Sequence, residues 1–289
     1  MRTRRITPWL FAGPALFLLA LFLVYPSIET IRVSFYNWNS TTYVGFQNYI
    51  SAFTEPSMVN VFRNNAIWVF VFTLFTVSLG LILAVLLDRV RYEKIAKSFI
   101  FIPMAISMVG ASTIWKFVYA YKPPSAPQIG LLNAFVVALG GQPVGWLIES
   151  PWVNNLSLIA VGVWLWTGFC MVLLSAALKN IPKQLMEAAR IDGANEWQVF
   201  RKVTLPLLWP TVAVVMTTMV VFVLKIFDIV YVMTNGNYGT EVIANLMYKQ
   251  QFTFQNYGLA AALAVVLLLL VVPMMVLNIR RFRRQEEIR

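Results

Sequence analysis

Polar residues fall into short islands between long, nearly uninterrupted apolar runs. This pattern has neither the two-residue period of a half-buried strand nor the one-sided stripe of a soluble helix. Crossing about 30 Å of hydrocarbon takes roughly 17 to 25 mostly apolar residues. Six runs meet that length, at about 9–26, 66–87, 99–119, 155–178, 207–230 and 258–278. They predict an all-α polytopic membrane protein with six transmembrane helices, a single membrane domain covering residues 1–289.

The longest intervals between runs, about 27–65 and 120–154, are too short for an ordinary soluble domain. The first carries Trp38, Tyr43, Gly45, Phe46, Asn48 and Tyr49. This mixture suits either a surface structure for an external partner or anchoring at headgroup depth. The second holds a short apolar piece from Leu131 to Leu139, between Pro127 and Gly140-Gly141, that cannot span.

Composition agrees, with 59% hydrophobic and 12% charged residues and a mean hydropathy of +0.70. The net charge of +11 reads as topology rather than as a nucleic-acid footprint, because of where it lies. With the N-terminus inside, most of the 23 basic residues fall in inner segments. They are Arg2, Arg4 and Arg5; Arg89, Arg91, Lys94 and Lys97; Lys179, Lys183, Arg190, Arg201 and Lys202; and Arg280, Arg281, Arg283, Arg284 and Arg289. Outer segments keep Arg32, Arg63, Lys122 and Lys249, as the positive-inside rule expects. Both termini are therefore expected in the cytoplasm, and intervals 27–65 and 120–154 outside. The basic start followed by an apolar run could be a cleaved signal, but the run is too long and ends in Tyr25-Pro26 without an Ala-x-Ala-like exit. Thiol and metal chemistry find little support, since Cys170 stands alone inside a span and the chain has no histidine.

The inner interval between the fourth and fifth runs is patterned. Asn180-Ile181-Pro182 opens a first short helix, since proline is tolerated where its missing N–H has no partner. Gly193 ends that helix in a left-handed cap, and Asn195 with Gln198 has the layout of a capping box for a second short helix. Pro206 and Pro210 bracket the start of span five. Polar contacts are available from Glu187, Arg190, Asp192, Glu196 and Arg201, and packing from Leu185, Ala188, Ala189 and Phe200. Glu187-Ala188-Ala189, Gly193 and Leu205-Pro206 at set spacing arise by chance in such a chain at on the order of 10⁻⁴ or less, given ordinary residue usage.

On these residues the segment resembles the Glu-Ala-Ala loop of permease subunits in binding-protein-dependent ABC importers. The resemblance continues through Gly80-Leu81 with Ala84, Pro103 opening span three, Gly130-Leu131-Leu132-Asn133 and Phe227-Asp228, and fits the carbohydrate branch best. The stretch from Glu241 through Gln250, Phe252 and Gly258 is similar to α-glucoside permeases for trehalose, maltose or sucrose. Where the family often carries Gly-Gly-Pro after the fifth span, this chain reads Thr234-Asn235-Gly236-Asn237-Tyr238-Gly239.

The resemblance implies a type I importer permease core in a bacterial inner membrane. It implies ATPase-coupling roles for Glu187, Ala188, Ala189, Asp192, Gly193, Ala194, Leu205 and Pro206. It further implies a second, homologous permease subunit in a heterodimer, two ATPase subunits, and a periplasmic or lipid-anchored sugar-binding protein. No Gly-x-x-x-x-Gly-Lys-Ser/Thr loop occurs, so ATP and Mg belong to the partner subunits and the chain carries no cofactor of its own.

A sugar path needs polar and aromatic groups facing a cavity. Trp164, Trp166, Thr167 and Ser175 in span four, and Thr217, Thr218, Lys225 and Asp228 in span five, are candidates, although each tryptophan also suits packing and each threonine can satisfy its own helix. Lys225 and Asp228, three residues apart, are expected on one helical face, where they serve either as a cavity lining or as a structural pair. Two other classes compete. A secondary transporter of a small solute typically shows internal repeats, broken helices or an intramembrane ion site. A membrane enzyme needs a convergent catalytic set, and the absence of histidine with a single isolated cysteine argues against one.

Overall fold

The computed structural model describes residues 7–88, 90–149 and 152–287, with Thr7, Pro8, Leu10 and 281–287 described by backbone alone. Arg2, Arg4, Arg5, Arg89 and Arg289 of the expected inner charge lie outside the described residues, as do the side chains of Arg281, Arg283 and Arg284. In chain order the helices are α1 (Phe11–Val33), α2 (Gln47–Thr54), α3 (Pro56–Leu87), α4 (Glu93–Ala105), α5 (Met108–Val118), α6 (Leu131–Ala138), α7 (Val153–Lys179), α8 (Lys183–Ile191), α9 (Glu196–Val223), α10 (Asp228–Met233), α11 (Ile243–Phe252) and α12 (Tyr257–Glu287). Among the described residues there is no strand, only an isolated bridge between Tyr36 and Tyr43. Five helices among the described residues, α1, α3, α7, α9 and α12, are long and apolar enough to cross a membrane, and the bent pair α4–α5 makes a sixth when counted as one span.

The apolar runs place the spans well and their ends less well. Helix α1 runs past Pro26 to Val33 because a π turn at Ala20–Val24 widens the coil just before the proline, relieving the clash its ring makes with the preceding turn. Span three is not one rod. Pro103 does not open it but sits in a 3₁₀ turn, Ile102–Ala105, and the chain then bends by 97° into α5, whose first turn is capped by the Ser107 hydroxyl accepting from Gly110 N–H. Span five also differs. Its helix begins at Glu196, so Pro206 and Pro210 lie inside it behind a π turn at Phe200–Thr204, and the expected second short helix is its first turn. The helix then stops at Val223 and resumes as α10.

Contacts divide the chain into two units. One comprises residues 1–59 and 246–269. Within it Asn48 Nδ2 donates to the carbonyls of Ser34 and Tyr36 (2.9 and 2.7 Å), and Tyr257 N–H donates to Trp38 O (2.8 Å), so polar groups of interval 27–65 lock it into a folded structure. Trp38, Tyr43 and Phe46 remain exposed on it.

The other unit comprises 60–245 and 270–289. Its centre is the parallel pair α3 and α7. Gly80 lies against Cys170, where an added Cβ would come within 2.6 Å of the cysteine Cβ, and Gly162 lies against Trp68 and Phe72. Helix α4 runs back along α7, with Gly168 under the Ile100 carbonyl and Glu93 accepting from Lys97 (2.5 Å) and Lys179 (2.6 Å). At the far end of this pair Asn64, Asn65, Asn154 and Asn155 are buried. Asn64 Nδ2 donates to Gly239 O and Glu241 O, Asn154 Nδ2 to Tyr238 O, and Asn65 Oδ1 accepts from Ile243 N–H. These bonds strap residues 238–243 across the helix ends.

The short helix α6 is held by Asn133. Its amide donates to Ala120 O and Val144 O and accepts from Val144 N–H and Trp146 Nε1. Gly130 passes so close to Ala120 that a Cβ would stand 2.1 Å from its carbonyl oxygen. The Gly130-Leu131-Leu132-Asn133 motif is thus a fastening of the 120–146 segment.

Candidate functional site: the 180–206 loop and the interrupted spans

Helix α8 is short and amphipathic, and hydrogen-bond geometry dictates its end. Gly193 takes φ = +84°, Gly193 N–H donates to Arg190 O, and Ala194 N–H donates to Ala189 O, each at 3.0 Å. This is the Schellman arrangement, in which a left-handed residue lets the next two amides reach back over the last turn. Asn195 then starts α9 through a complete capping box, its side chain accepting from Gln198 N–H and its own N–H donating to Gln198 Oε1, both at 2.9 Å. Helix α8 and the capping box are thus as expected from sequence.

Sequence reasoning missed the clamp across the turn. Arg190 Nε donates to Glu196 Oε1 at 2.6 Å and Nη2 to Oε2 at 3.2 Å, joining the last turn of α8 to the first turn of α9. The hydrogen bond to Glu196 holds the guanidinium above its usual pKa. Glu187, Ala188, Asp192, Gly193 and Pro206 are exposed, while Ala189, Ala194 and Leu205 are half-buried. Two apolar side chains stand out around them, Ile191 at 86% and Trp197 at 67% exposure. A fixed right-handed helix ending in a rigid turn, with apolar groups projecting beside it, is a shape suited to a complementary socket.

The path candidates do not come together. Trp164 and Thr167 line one cavity of about 700 Å³ with Val71, Phe75, Phe99 and Pro103, but its walls are mostly apolar and Thr167 returns its hydroxyl to Val163 O at 2.6 Å. Trp164 packs its ring on Trp115 (5.6 Å) and Trp166 on Phe222 (4.1 Å). Ser175 accepts from Lys97 in the charged cluster around Glu93. Thr217 bonds Ala213 O and Val214 O, whereas Thr218 bonds Val214 O and accepts from Asn278 Nδ2.

Lys225 and Asp228 are not on one helical face, because α9 has ended before Lys225 and α10 begins at Asp228. Among the described residues neither takes part in an ion pair; Lys225 is exposed and Asp228 half-buried at the first position of α10. A carboxylate in a helix's first turn is favoured by the free N–H groups there. The interruption itself is held by Asn65, whose Nδ2 donates to Leu224 O at 3.2 Å. Non-helical backbone at membrane depth is tolerated where protein or a cavity satisfies it. The bent pair α4–α5 is a broken span, whereas α9 is long enough to cross unbroken and the chain leaves the helix just after it, at Leu224. The Asn64-Asn65 and Asn154-Asn155 doublets near the start of apolar runs were the available signal for these fastenings.

Comparison with known proteins covers most of the chain. Residues 76–285 match the family described as binding-protein-dependent transport system inner membrane component. The osmoprotective compounds uptake permease protein GgtC of Synechocystis sp. is 58% identical over 97% of this chain and 100% of its own length. The alpha-glucoside transport system permease protein AglF of Rhizobium meliloti is 48% identical over 97% of this chain and 83% of its own. Among solved structures, a chain of a bacterial ABC transporter involved in import of the acidic polysaccharide alginate superposes with a TM-score of 0.80 over 94% of this chain and 96% of that one, at 24% identity.

Proposed function

The chain belongs to the binding-protein-dependent transport system inner membrane components, the polytopic permeases of ABC importers, and from that premise we propose that it carries a neutral α-glucoside across the inner membrane. Trehalose, maltose or sucrose fits both the α-glucoside and the osmoprotectant names of its relatives. The energy comes from two separate ATPase subunits, which hold ATP and Mg, and a second homologous permease completes a heterodimeric pathway. A periplasmic or lipid-anchored binding protein delivers the sugar. Both termini and the 180–206 loop face the cytoplasm, and the chain catalyses no reaction of its own.

The observation that carries this reading is the pre-formed turn at Gly193 with Ile191 and Trp197 exposed beside it. Glu187, Ala188, Ala189, Asp192 and Ala194 shape or flank that turn, and Leu205 and Pro206 follow it along α9. Closure of the ATPases on ATP moves the loop and biases the assembly between two states of different solute affinity. A broken span is also what a secondary transporter would carry, but the family assignment favours the ATP-driven class.

The test is reconstitution in liposomes of the tagged chain with its ATPase, second permease and binding protein. Labelled trehalose, maltose or sucrose should accumulate only with internal-face ATP and external binding protein. Uptake driven by an ion gradient without nucleotide, or failure of any ATPase to co-purify, refutes the reading.

A further inference from the structure

Three polar atoms of α3 are buried without a hydrogen-bond partner: Trp68 Nε1, Thr73 Oγ1 and Thr76 Oγ1. Their residues are 0%, 4% and 0% exposed. Buried polar groups are normally paired, and each one that is not asks for an explanation. Inside a membrane span the need is sharper, because no bulk water can enter to satisfy them.

The threonines depart from their peers. Thr113, Thr167, Thr217 and Thr218 each turn the hydroxyl back onto the carbonyl four residues earlier. Thr73 and Thr76 do not, although a valine would fill either site without an unpaired oxygen.

Helix geometry puts the three residues on one face. Residues 68–72 form a π turn, and its i→i+5 spacing places Trp68 and Thr73 on one face; Thr76 follows three residues later on the same side. The result is one polar line along a helix that is otherwise apolar there. It borders the interruption of span five. Asn65, just before Trp68, bonds Leu224 O, and Phe72 stacks on Phe222 (5.9 Å), one residue before α9 ends. Opposite the head of the line stands Gly162, leaving room that any larger side chain would take from Trp68 and Phe72.

We propose that Trp68, Thr73 and Thr76 form a binding strip for the hydroxyl groups of the transported solute, reached when α3 and α9 part. The indole N–H donates to a sugar oxygen, and the two threonine hydroxyls donate to or accept from neighbouring ones. The π turn is retained because it lines them up. This inference rests on the sugar-permease reading above.

The experiment measures equilibrium binding of labelled sugar to the whole purified importer without its binding protein, with uptake and thermal stability recorded alongside. The isosteric double variant Thr73→Val/Thr76→Val should raise the dissociation constant by tenfold or more, and the melting temperature should not fall. The double variant Thr73→Ser/Thr76→Ser keeps the hydroxyls and should keep the original dissociation constant. Should the valine variant fail to assemble, Trp68→Phe keeps the ring, drops the N–H and should raise the dissociation constant likewise. A transport-active wild type that binds no sugar, or an unchanged dissociation constant in the valine variant or in Trp68→Phe, overturns this inference alone. A wild type that assembles but moves no sugar overturns the functional reading, and this inference with it.

Discussion

Substituting Gly193 by asparagine, alanine or valine separates a backbone requirement from a steric one. An added Cβ would meet nothing within 4 Å, so the chain itself offers no clash. The penalty comes from φ = +84°, a region where an L side chain costs roughly 1–2 kcal/mol, less for asparagine and more for a β-branched residue. The Arg190–Glu196 clamp and the Asn195–Gln198 capping box still hold both arms, so the strain acts on the turn alone. Docking onto the ATPase must then re-impose the turn, and 1–2 kcal/mol corresponds to about a 5- to 30-fold weaker association. Titrating detergent-purified ATPase against the immobilised permease, with ATP-dependent uptake in parallel, should rank glycine first, then asparagine, alanine and valine. Equal loss for asparagine and valine refutes the backbone argument, since it would make side-chain size the cause; undiminished binding by valine refutes the need for the turn.

Reversing the clamp is a second test: Arg190→Glu and Glu196→Arg should each lower ATPase binding, and the double swap should recover most of it, with no recovery counting against a positional role. Gly168→Ala should cost about 1–3 kcal/mol of stability, because the new methyl meets the Ile100 carbonyl at 2.4 Å and backbone cannot yield cheaply; an unchanged melting temperature in detergent would contradict that packing. Asn133→Leu should leave Val144 N–H and the Ala120 and Val144 carbonyls without their partner, and hydrogen exchange at the Val144 amide should rise at least tenfold while the spans keep their protection.

The apolar runs made the class and number of spans readable, because a membrane solvent imposes length and composition directly. The 183–198 segment was readable in detail, since proline, glycine and an Asn/Gln pair each act through local backbone chemistry. The interruptions were not. Pro103 suggested a start rather than a bend, because hydropathy does not register a helix that turns while staying apolar. Lys225 and Asp228 looked like one face only on the assumption of an unbroken helix, and the bond that supports the break comes from Asn65, 159 residues away. The hydroxyl bonds of Thr167, Thr217 and Thr218 were illegible for a related reason: a threonine in sequence carries no mark of whether its own carbonyl four residues back will take its hydroxyl.

Because α9 starts at Glu196 and ends at Val223, the loop's second arm and the fifth span are one 28-residue rod, ~42 Å long at 1.5 Å per residue. The helix is continuous from the turn at Gly193 to the gap at Leu224, with the π turn at Phe200–Thr204 and Pro206 and Pro210 along it. If an ATPase works on its near end, reciprocity requires that solute lodged at the far end act back on that end with the same coupling free energy. A loaded pathway should therefore tune the engine, with no separate messenger needed.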